Sequence, residues 1–262
     1  LKVESLKTQS TDTIGLKCLL MGHSFFVPFA QNLPLYAARA QILGHKQLLL
    51  SRGGNNGAPE ALWLNDITRE RGLKYLDEGN VELVGMTVSE EYITTTGYAN
   101  WINYALQKNP NTRFFMTLPY GTNPNEKSTE TYIEDWRNTR IRWFKLVDAV
   151  RELFPGVVIY CIPYGESANY LRILYDEGNL PEINYLTGNP IDSIYIDNRG
   201  HAGDILKELG SLIWLSAIYG IDLTKYNYDS DYTTDLKSIG HSIMVKEIKN
   251  NPEYTNPSYS WK

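Results

Sequence analysis

The stretch Leu19-Leu20-Met21-Gly22-His23-Ser24-Phe25-Phe26-Val27 ends an apolar run that begins near Ile14. A continuous apolar run that leads into a glycine predicts a buried strand followed by a turn. Ser24 therefore lies just beyond the carboxyl end of a strand. In open α/β sheets ligands bind at this edge, and a serine there can react with help from loops that come much later in the chain. The position is typical of a nucleophile.

Strands and helices alternate along the rest of the chain. Apolar runs predict further strands at residues 47–50, 81–88, 113–118 and 157–162. Apolar residues at three- to four-residue spacing predict helices at residues 34–43, 98–107 and 128–154, and another between His201 and Gly220. Strands separated by helices form a parallel sheet that is covered on both faces. The sequence therefore predicts a three-layer α/β sandwich around a central parallel five-stranded sheet.

The length of 262 residues, with 42% hydrophobic and 21% charged residues, is enough for one substantial core. We expect a single domain with its core in about residues 14–223. Beyond Asp222 the sequence becomes rich in Tyr, Asp and Thr, and then predicts a helix at residues 236–248. We interpret residues 224–262 as a helical appendage packed on that domain.

The charge balance argues against nucleic acid as a partner. The formal net charge is -5, and there is no basic cluster with interleaved aromatic residues, whereas binding to a phosphate backbone requires a basic surface. No apolar stretch approaches the roughly 20 residues of a membrane-spanning helix. The first residue is Leu1 rather than methionine, so a signal peptide ahead of it, and with it a secreted or periplasmic location, is a hypothesis. The sequence predicts no oligomeric state.

Metal and cofactor sites are not expected. The two cysteines, Cys18 and Cys161, lie inside apolar strand-like runs, where they are expected to pack as buried thiols rather than form a disulfide or bind a metal. No pair of histidines has the spacing of metal ligands. We therefore predict no metal site and no cofactor.

A base for Ser24 is found in the segment Ile196-Asp197-Asn198-Arg199-Gly200-His201, directly before the last core helix. Asp197 can accept a hydrogen bond from one ring nitrogen of His201 while the other nitrogen faces Ser24, which fixes the tautomer that a catalytic triad needs. The alternative is that His201 is a solvated loop residue. His23, beside the serine, is either a structural hydrogen-bonding residue of the turn or a second base that contacts substrate.

Acyl transfer also needs hydrogen-bond donors for the oxyanion. The backbone N–H of Ser24 can be one donor. The loop Arg52-Gly53-Gly54-Asn55-Asn56-Gly57, after the second strand, can supply another from Gly53 or Gly54, because glycine lets backbone amides approach a ligand closely. The alternative is that these residues form only a connecting loop.

Together these residues resemble the SGNH or GDSL-type hydrolases, which are mostly esterases and lipases with a flavodoxin-like sheet. The segment Gly22-His23-Ser24 resembles the block that carries the family's nucleophile, with a histidine in place of the usual aspartate. Gly53 or Gly54 resembles the glycine of the second block, and Asp197 with His201 resembles the terminal acid and base. The resemblance covers about residues 14 to 223 and implies a serine hydrolase with a Ser-His-Asp triad.

The chain departs from this family at its acid. The family's acid usually lies three positions before its histidine, but Asn198 stands there and Asp197 lies one residue earlier. A one-residue bulge could absorb the difference and keep Asp197 beside His201. Alternatively, a backbone carbonyl could orient His201 instead.

A second departure lies in the third block, where the family has an asparagine that donates to the oxyanion. After the third strand this chain has Thr87-Val88-Ser89-Glu90-Glu91-Tyr92, without an asparagine. Ser89 is one replacement donor, and Asn55 or Asn56 from the second-block loop is another. The two glutamates only accept hydrogen bonds when ionised, so they cannot take this role.

Two similar segments end the fourth and fifth strands: Leu118-Pro119-Tyr120-Gly121 and Ile162-Pro163-Tyr164-Gly165. If the sheet is parallel, their tyrosines emerge on the same edge as Ser24, where aromatic rings can pack against a sugar ring or an acyl chain. The alternative is that proline and glycine end each strand and the tyrosines pack locally. With two residues of nearby loops, the predicted aromatic wall consists of Trp63, Tyr92, Tyr120 and Tyr164.

These features predict a serine hydrolase that cleaves carboxylic esters without a cofactor. Its substrate is expected to be a small-molecule or carbohydrate ester, and the preferred subclass is a carbohydrate O-deacetylase, on the basis of the family resemblance and the aromatic wall. The alternative, from another class, is a glycan-binding protein of the same fold with weak or no catalysis. The displaced acid and the missing third-block asparagine favour that alternative.

Overall fold

A parallel sheet of five strands forms the centre of the molecule. The computed structural model describes residues 14–258, and the strands of this sheet are β1 (Lys17–Gly22), β2 (Lys46–Ser51), β3 (Leu83–Thr87), β4 (Arg113–Thr117) and β5 (Ile159–Ile162). They lie side by side in the order β2-β1-β3-β4-β5, and every neighbouring pair is parallel. The prediction of a central parallel five-stranded sheet is confirmed.

The strand order creates a switch point at β1. The chain goes from β1 to β2 on one side of it, and later returns to β3 on the other side. The loops that follow β1 and β3 therefore diverge, and in sheets of this order ligands bind in the crevice between such loops. Ser24 follows β1 and Ser89 follows β3, so this crevice is the first place to look for a site.

Helices cover both faces of the sheet, because successive residues of each buried strand point to opposite faces. The helices are α1 (Val27–Arg39), α2 (Pro59–Leu64), α3 (Asp66–Leu76), α4 (Thr96–Lys108), α5 (Thr129–Leu153), α6 (Glu166–Asp176), α7 (Asp204–Tyr219) and α8 (Leu236–Asn250). In β1, Cys18 and Leu20 pack with the hydrophobic cluster of α1, α6, α7 and α8. Leu19 and Met21 pack with the cluster of α2 to α5 on the opposite face. The predicted three-layer sandwich is thus present.

Helix α1 differs from the predicted helix at residues 34–43. It spans Val27–Arg39, with Pro28 in its first turn and Pro34 inside it. A proline at position 34 has no N–H to donate to the carbonyl of Ala30. The side chain of Gln47, in β2, donates to that carbonyl instead, with an N–O distance of 2.7 Å. Pro34 is therefore tolerated within the helix.

Helices α2, α3 and α6 and a small second sheet lie in segments where no element was predicted. The small sheet consists of β6 (Tyr185–Thr187) and β7 (Ser193–Tyr195), which are parallel. In α3, three of the 11 residues are buried, Thr68, Gly72 and Leu76. Such a helix has no continuous apolar stripe, and strands of three residues are too short to show alternation.

The C-terminal segment packs on the sandwich. Helix α8 contains the helix predicted at residues 236–248 and lies against α7. Farther on, Asn256 donates from Nδ2 to the carbonyl oxygen of Ala217 at 3.2 Å, and the ring of Tyr254 stacks on Phe144 with centroids 3.8 Å apart. Leu1, on which the signal-peptide hypothesis rests, and residues 259–262 of the appendage lie outside the described residues. Within residues 14–258, no helix has the length and apolar character needed to cross a membrane.

Candidate active site

Ser24 lies in a tight turn between β1 and α1. The backbone N–H groups of Phe26 and Val27 both donate to the carbonyl oxygen of His23, at 2.9 and 3.0 Å. Gly22 has no room for a side chain, because a Cβ atom there would lie 2.4 Å from the ring of Phe26. The turn therefore has a fixed shape, and it places the half-buried Ser24 on the wall of a cleft.

A continuous chain of hydrogen bonds joins Ser24 to His201 and Asp197. Nε2 of His201 lies 2.8 Å from Oγ of Ser24. Nδ1 of the same ring lies 2.7 Å from Oδ2 of Asp197. A carboxylate only accepts hydrogen bonds, so Nδ1 carries the hydrogen and Nε2 is free to accept the serine proton. This is the arrangement of a nucleophile, a base and an orienting acid.

The Asp197 carboxylate is held in its ionised form. Partial burial acts to raise its pKa, but hydrogen bonds from the His201 ring and from backbone N–H groups outweigh burial and lower the pKa below its usual value. The backbone donors are the N–H groups of Arg199 and His201, which lie 3.0 and 3.2 Å from Oδ1. A negative charge is therefore present beside the imidazole at neutral pH.

The extra residue between the acid and the histidine is absorbed by a turn. Gly200 has a φ of +91°, in the left-handed region that favours glycine, and its N–H donates to the carbonyl oxygen of Asp197 at 3.1 Å. Asn198 faces away from the imidazole. Its Nδ2 donates to Glu126 at 2.9 Å, and its Oδ1 accepts from the backbone N–H of Asn125 at 3.2 Å.

His23 is fixed by two backbone groups. Nδ1 accepts from the N–H of Phe25 at 3.2 Å, and Nε2 lies 3.1 Å from the carbonyl oxygen of Val88. Because a carbonyl only accepts, Nε2 carries the hydrogen and the ring is neutral. Burial lowers the pKa of His23, which keeps it in this form. Although His23 borders the cleft, both of its ring nitrogens are occupied, which favours the structural role over that of a second base.

The glycine-rich loop after β2 packs against the turn that carries Ser24. Residues Gly54–Gly57 form a short 3-10 helix. A Cβ atom at Gly57 would lie 2.7 Å from both the Gly22 carbonyl oxygen and Cα of His23, so only glycine allows this contact. Gly54 and Asn55 border the same cleft as Ser24, whereas Gly53 and Asn56 do not line it.

The cleft has a volume of about 210 Å³ and lies between the carboxyl ends of β1, β3 and β4 and helix α5. The helix contributes an aromatic wall whose rings are anchored to the loop after β4. Nε1 of Trp136 donates to the carbonyl oxygen of Pro119 at 2.7 Å, and the Tyr132 hydroxyl donates to that of Gly121 at 2.8 Å. Trp143, farther along α5, also borders the cleft.

This wall replaces most of the predicted one. Tyr164 is fully buried and its hydroxyl donates to the carbonyl oxygen of Phe25 at 2.5 Å, so it does not reach the rim. Trp63 packs edge-on against Trp101 with ring centroids 4.9 Å apart, and neither Trp63 nor Tyr92 lines the cleft. Local packing of the tyrosine after β5, the alternative interpretation, is what the structure shows.

Tyr120 is the predicted wall residue that does border the cleft, although only 2% of it is exposed. From the sequence, the aromatic residues of α5 counted only among the apolar residues that predict a helix at residues 128–154. Their spacing is that of a buried helix face, and the same face continues past the edge of the sheet, where it lines the cleft. The available signal was therefore the length of α5, because a helix of 25 residues is longer than the strands that it covers.

A charged pair lies at the cleft, beside the aromatic wall. Nζ of Lys127 is 2.6 Å from Oδ2 of Asp135. The loop that carries Lys127 is held by the buried guanidinium of Arg172, which donates to the carbonyl oxygens of Pro124 and Lys127 at 2.9 and 3.0 Å. The pair thus has a defined position relative to the cleft.

Comparison with known proteins identifies a solved structure with the same fold. No family model matches the chain, and no curated protein matches it. A solved structure of a DUF4886 family protein from Bacteroides uniformis is similar to it with a TM-score of 0.55 and 15% identity, over 89% of this chain and 95% of that one. The chain therefore shares its α/β fold with that protein.

Two further solved structures are similar to a lesser degree. The periplasmic domain of a lipopolysaccharide acetyltransferase from Salmonella ser. Paratyphi A has a TM-score of 0.44 and 12% identity, over 74% of this chain and 81% of that one. A putative GDSL-like lipase from Parabacteroides merdae has a TM-score of 0.43 and 12% identity, over 78% of this chain and 95% of that one.

Proposed function

We propose that this protein is a serine ester hydrolase of the SGNH type. The segments of its sequence that resemble the first, second and last blocks of that family support this proposal. The observation that carries the proposal is the unbroken hydrogen-bonded chain from Ser24 through His201 to Asp197. It lies at the crevice beside the switch point of the sheet, where ligands of such folds bind. The order hydroxyl, imidazole, carboxylate is the one that a serine-histidine-aspartate triad uses, and this supports the proposal.

In this mechanism Oγ of Ser24 attacks the ester carbonyl while Nε2 of His201 takes its proton. Asp197 stabilises the imidazolium that forms. The negative charge on the carbonyl oxygen is met by the N–H of Ser24 and by the loop that begins at Gly54. His201 then gives the proton to the alcohol oxygen, which leaves, and the acyl group remains on Ser24. A water molecule, deprotonated by His201, attacks this acyl-enzyme and releases the carboxylic acid.

The cleft favours a small acyl group and a neutral, hydroxyl-rich alcohol part. Its volume of about 210 Å³ is below the roughly 300 to 1,000 Å³ of pockets for drug-sized ligands. Lys127 and Asp135 neutralise each other, yet an ammonium has three donors and a carboxylate about four acceptor sites, so both can still bond to hydroxyl groups. Beside the aromatic rings of α5, this combination supports a carbohydrate O-deacetylase.

The alternative is a glycan-binding protein with weak or no catalysis. One observation favours it: the hydroxyl of Ser89, at the place of the family's third-block asparagine, is engaged with Asn55 instead of being free for a substrate. The unusual position of Asp197, four residues before His201, no longer favours a binding protein, because Asp197 contacts His201.

Hydrolysis of a panel of acetylated sugars and of aryl acetates, butyrates and octanoates tests the proposal. We expect turnover of acetates, a decline with acyl length, and loss of turnover in Ser24→Ala. The matched control is Ser242→Ala, an exposed serine on α8, which should keep wild-type rates. Turnover that survives Ser24→Ala would overturn the proposal. Saturable binding of oligosaccharides without hydrolysis of any ester would favour the alternative.

A further inference from the structure

The carboxyl ends of β2 and β3 are linked by a hydrogen bond at the cleft. The hydroxyl of Ser89 lies 3.1 Å from Oδ1 of Asn55. Ser89 is 4% exposed, so water competes little for this contact. Both residues border the same cleft as Ser24.

This bond orients the Asn55 side chain. The oxygen of its amide accepts from Ser89, so the two N–H donors of Nδ2 are directed elsewhere, since the amide group is planar. Within residues 14–258, Nδ2 of Asn55 has no hydrogen-bond partner, and the residue is exposed at the cleft wall. The two donors of this amide are therefore available at the cleft that Ser24 also borders.

The position of Asn55 is fixed by the loop that carries it. Gly57, two residues later, sits directly against the Gly22 carbonyl oxygen and Cα of His23. Gly54, on the other side of Asn55, has a φ of +55° that begins the 3-10 helix. The loop is therefore held against the turn that presents Ser24.

We propose that Nδ2 of Asn55 is the side-chain donor to the oxyanion and that Ser89 is its positioning residue. This inference rests on the proposed hydrolase function. When Ser24 attacks the carbonyl, the electron pair of the C=O double bond moves to the oxygen, and Nδ2 donates to that oxygen beside the N–H of Ser24. The two residues together take the place of a third-block asparagine, with the amide arriving from β2 instead of β3.

The polar neighbours of Asn55 on the loops after β2 and β3 do not fit this role. The only proton of the Ser89 hydroxyl is used in its bond to Asn55. Glu90, the next residue, is a carboxylate that accepts and cannot donate when ionised. Asn56 does not line the cleft.

Steady-state kinetics on p-nitrophenyl acetate test the inference. Asn55→Ala is expected to lower kcat by about 10²- to 10³-fold with little change in KM, the usual loss for one oxyanion donor. Asn55→Asp keeps an acceptor for Ser89 but loses the donors and adds negative charge, so its kcat should fall at least as far. Asn111→Ala, an exposed asparagine before β4, is the matched control and should keep the wild-type kcat. Far-UV circular dichroism checks that each variant is folded.

The positioning role of Ser89 has its own readouts. Ser89→Ala should lower kcat by a smaller factor than Asn55→Ala does. Ser89→Thr keeps the hydroxyl, so its kcat should be higher than that of Ser89→Ala and close to the wild-type value. In the double variant Asn55→Ala/Ser89→Asn, an amide returns at the third-block place, and kcat should rise above that of Asn55→Ala.

Two outcomes separate this inference from the function on which it rests. If wild-type protein hydrolyses the ester and depends on Ser24 while Asn55→Ala and Asn55→Asp keep its kcat, the oxyanion assignment is overturned and the hydrolase stands. If wild-type protein hydrolyses no ester, both fail.

Discussion

Asp197 and Asn198 are competing partners of His201 when only the sequence is considered, and the structure gives them different contacts. Asp197 lies beside the imidazole, whereas Asn198 binds Glu126 and the backbone of Asn125. In the proposed mechanism, the negative charge of Asp197 stabilises the imidazolium that forms as Ser24 attacks. Asn198 ties the histidine loop to a neighbouring loop instead.

We therefore expect Asp197→Asn to lower kcat by about 10⁴-fold, as in serine-histidine-aspartate triads generally. Asn198→Ala should keep kcat within a few-fold of wild type, because it removes contacts outside the triad. Initial rates on an aryl acetate at neutral pH measure both. A near-normal kcat in Asp197→Asn together with a large loss in Asn198→Ala would show that a neutral group orients His201.

His23 gives a pH dependence of stability with a defined sign. Burial lowers its pKa in the folded state below the ordinary value of 6.5. When pH falls below about 6.5, the unfolded chain takes up a proton at His23 before the folded protein does, so the free energy of unfolding decreases. The stability contributed by neutral His23 is thus present above the unfolded pKa and lost as pH falls towards the folded pKa.

We expect the free energy of unfolding in urea to fall between pH 7 and pH 5, and to fall less in His23→Gln, which does not titrate. His45, whose pKa is also lowered by burial, supplies part of the remaining slope. Equal slopes for wild type and His23→Gln would contradict the assignment of His23 as a buried neutral residue.

At the scale of elements, the five strands of the central sheet were predictable. The bounds of α1, the helices α2, α3 and α6 and the small second sheet were not. Near-continuous apolar runs exist because both faces of a central strand are buried. Helix α1 was predicted to begin at Pro34, where apolar residues at helical spacing start. The helix begins at Val27, with another proline, Pro28, in its first turn. The hydrogen bond that Pro34 cannot donate is replaced by one from the side chain of Gln47, and no local sequence pattern predicts this contact.

The cleft wall could not be predicted for a similar reason. Trp136 and Trp143 look like core residues of α5 because they are mostly buried there, at 2% and 5% exposure. Whether a helix face meets the sheet or passes its edge depends on the position of the whole helix. Ser24, His201 and Asp197 were easier to select, because each follows a strand or precedes a core helix and carries reactive chemistry.

The contact between Gln47 and Pro34 predicts a coupling between two elements. Gln47→Ala should destabilise the protein by about 1 to 3 kcal/mol, because it leaves the carbonyl of Ala30 without a donor. In Pro34→Ala the backbone N–H of residue 34 is restored and can serve that carbonyl. The cost of Gln47→Ala should therefore be smaller in the Pro34→Ala background, although the bond between Gln47 and His45 is lost in both. A double-mutant cycle by urea unfolding measures the difference, and additive effects would contradict the coupling.

At the scale of the whole molecule, the C-terminal segment is tied to the cleft helix by a buried charge cluster. Arg140 of α5 forms ion pairs with Glu247 of α8 and, at 3.2 Å, with Glu166 of α6. Its guanidinium also lies over the ring of Trp136, 5.2 Å from the centroid. We propose that residues 14–258 form one cooperative domain and that the appendage is part of it.

Unfolding should then be a single transition, with circular dichroism and tryptophan fluorescence giving the same midpoint. Glu247→Ala should lower the free energy of unfolding by about 3 kcal/mol, because it leaves the buried Arg140 with one fewer carboxylate, and the transition should stay single. An earlier, separate loss of protection from hydrogen exchange in α8 would show instead that the appendage unfolds on its own.

The proposed function depends on Ser24 being an activated nucleophile, and covalent labelling measures this directly. A fluorophosphonate forms a bond from phosphorus to the serine oxygen and releases fluoride. The tryptic peptide of residues 18–39 contains Ser24 as its one serine, so mass spectrometry assigns the site without ambiguity among serines. We expect one adduct on Ser24 in the folded protein, slow labelling in His201→Gln, and none in Ser24→Ala or in urea. An adduct on a different serine, or labelling that persists in Ser24→Ala, would contradict the account.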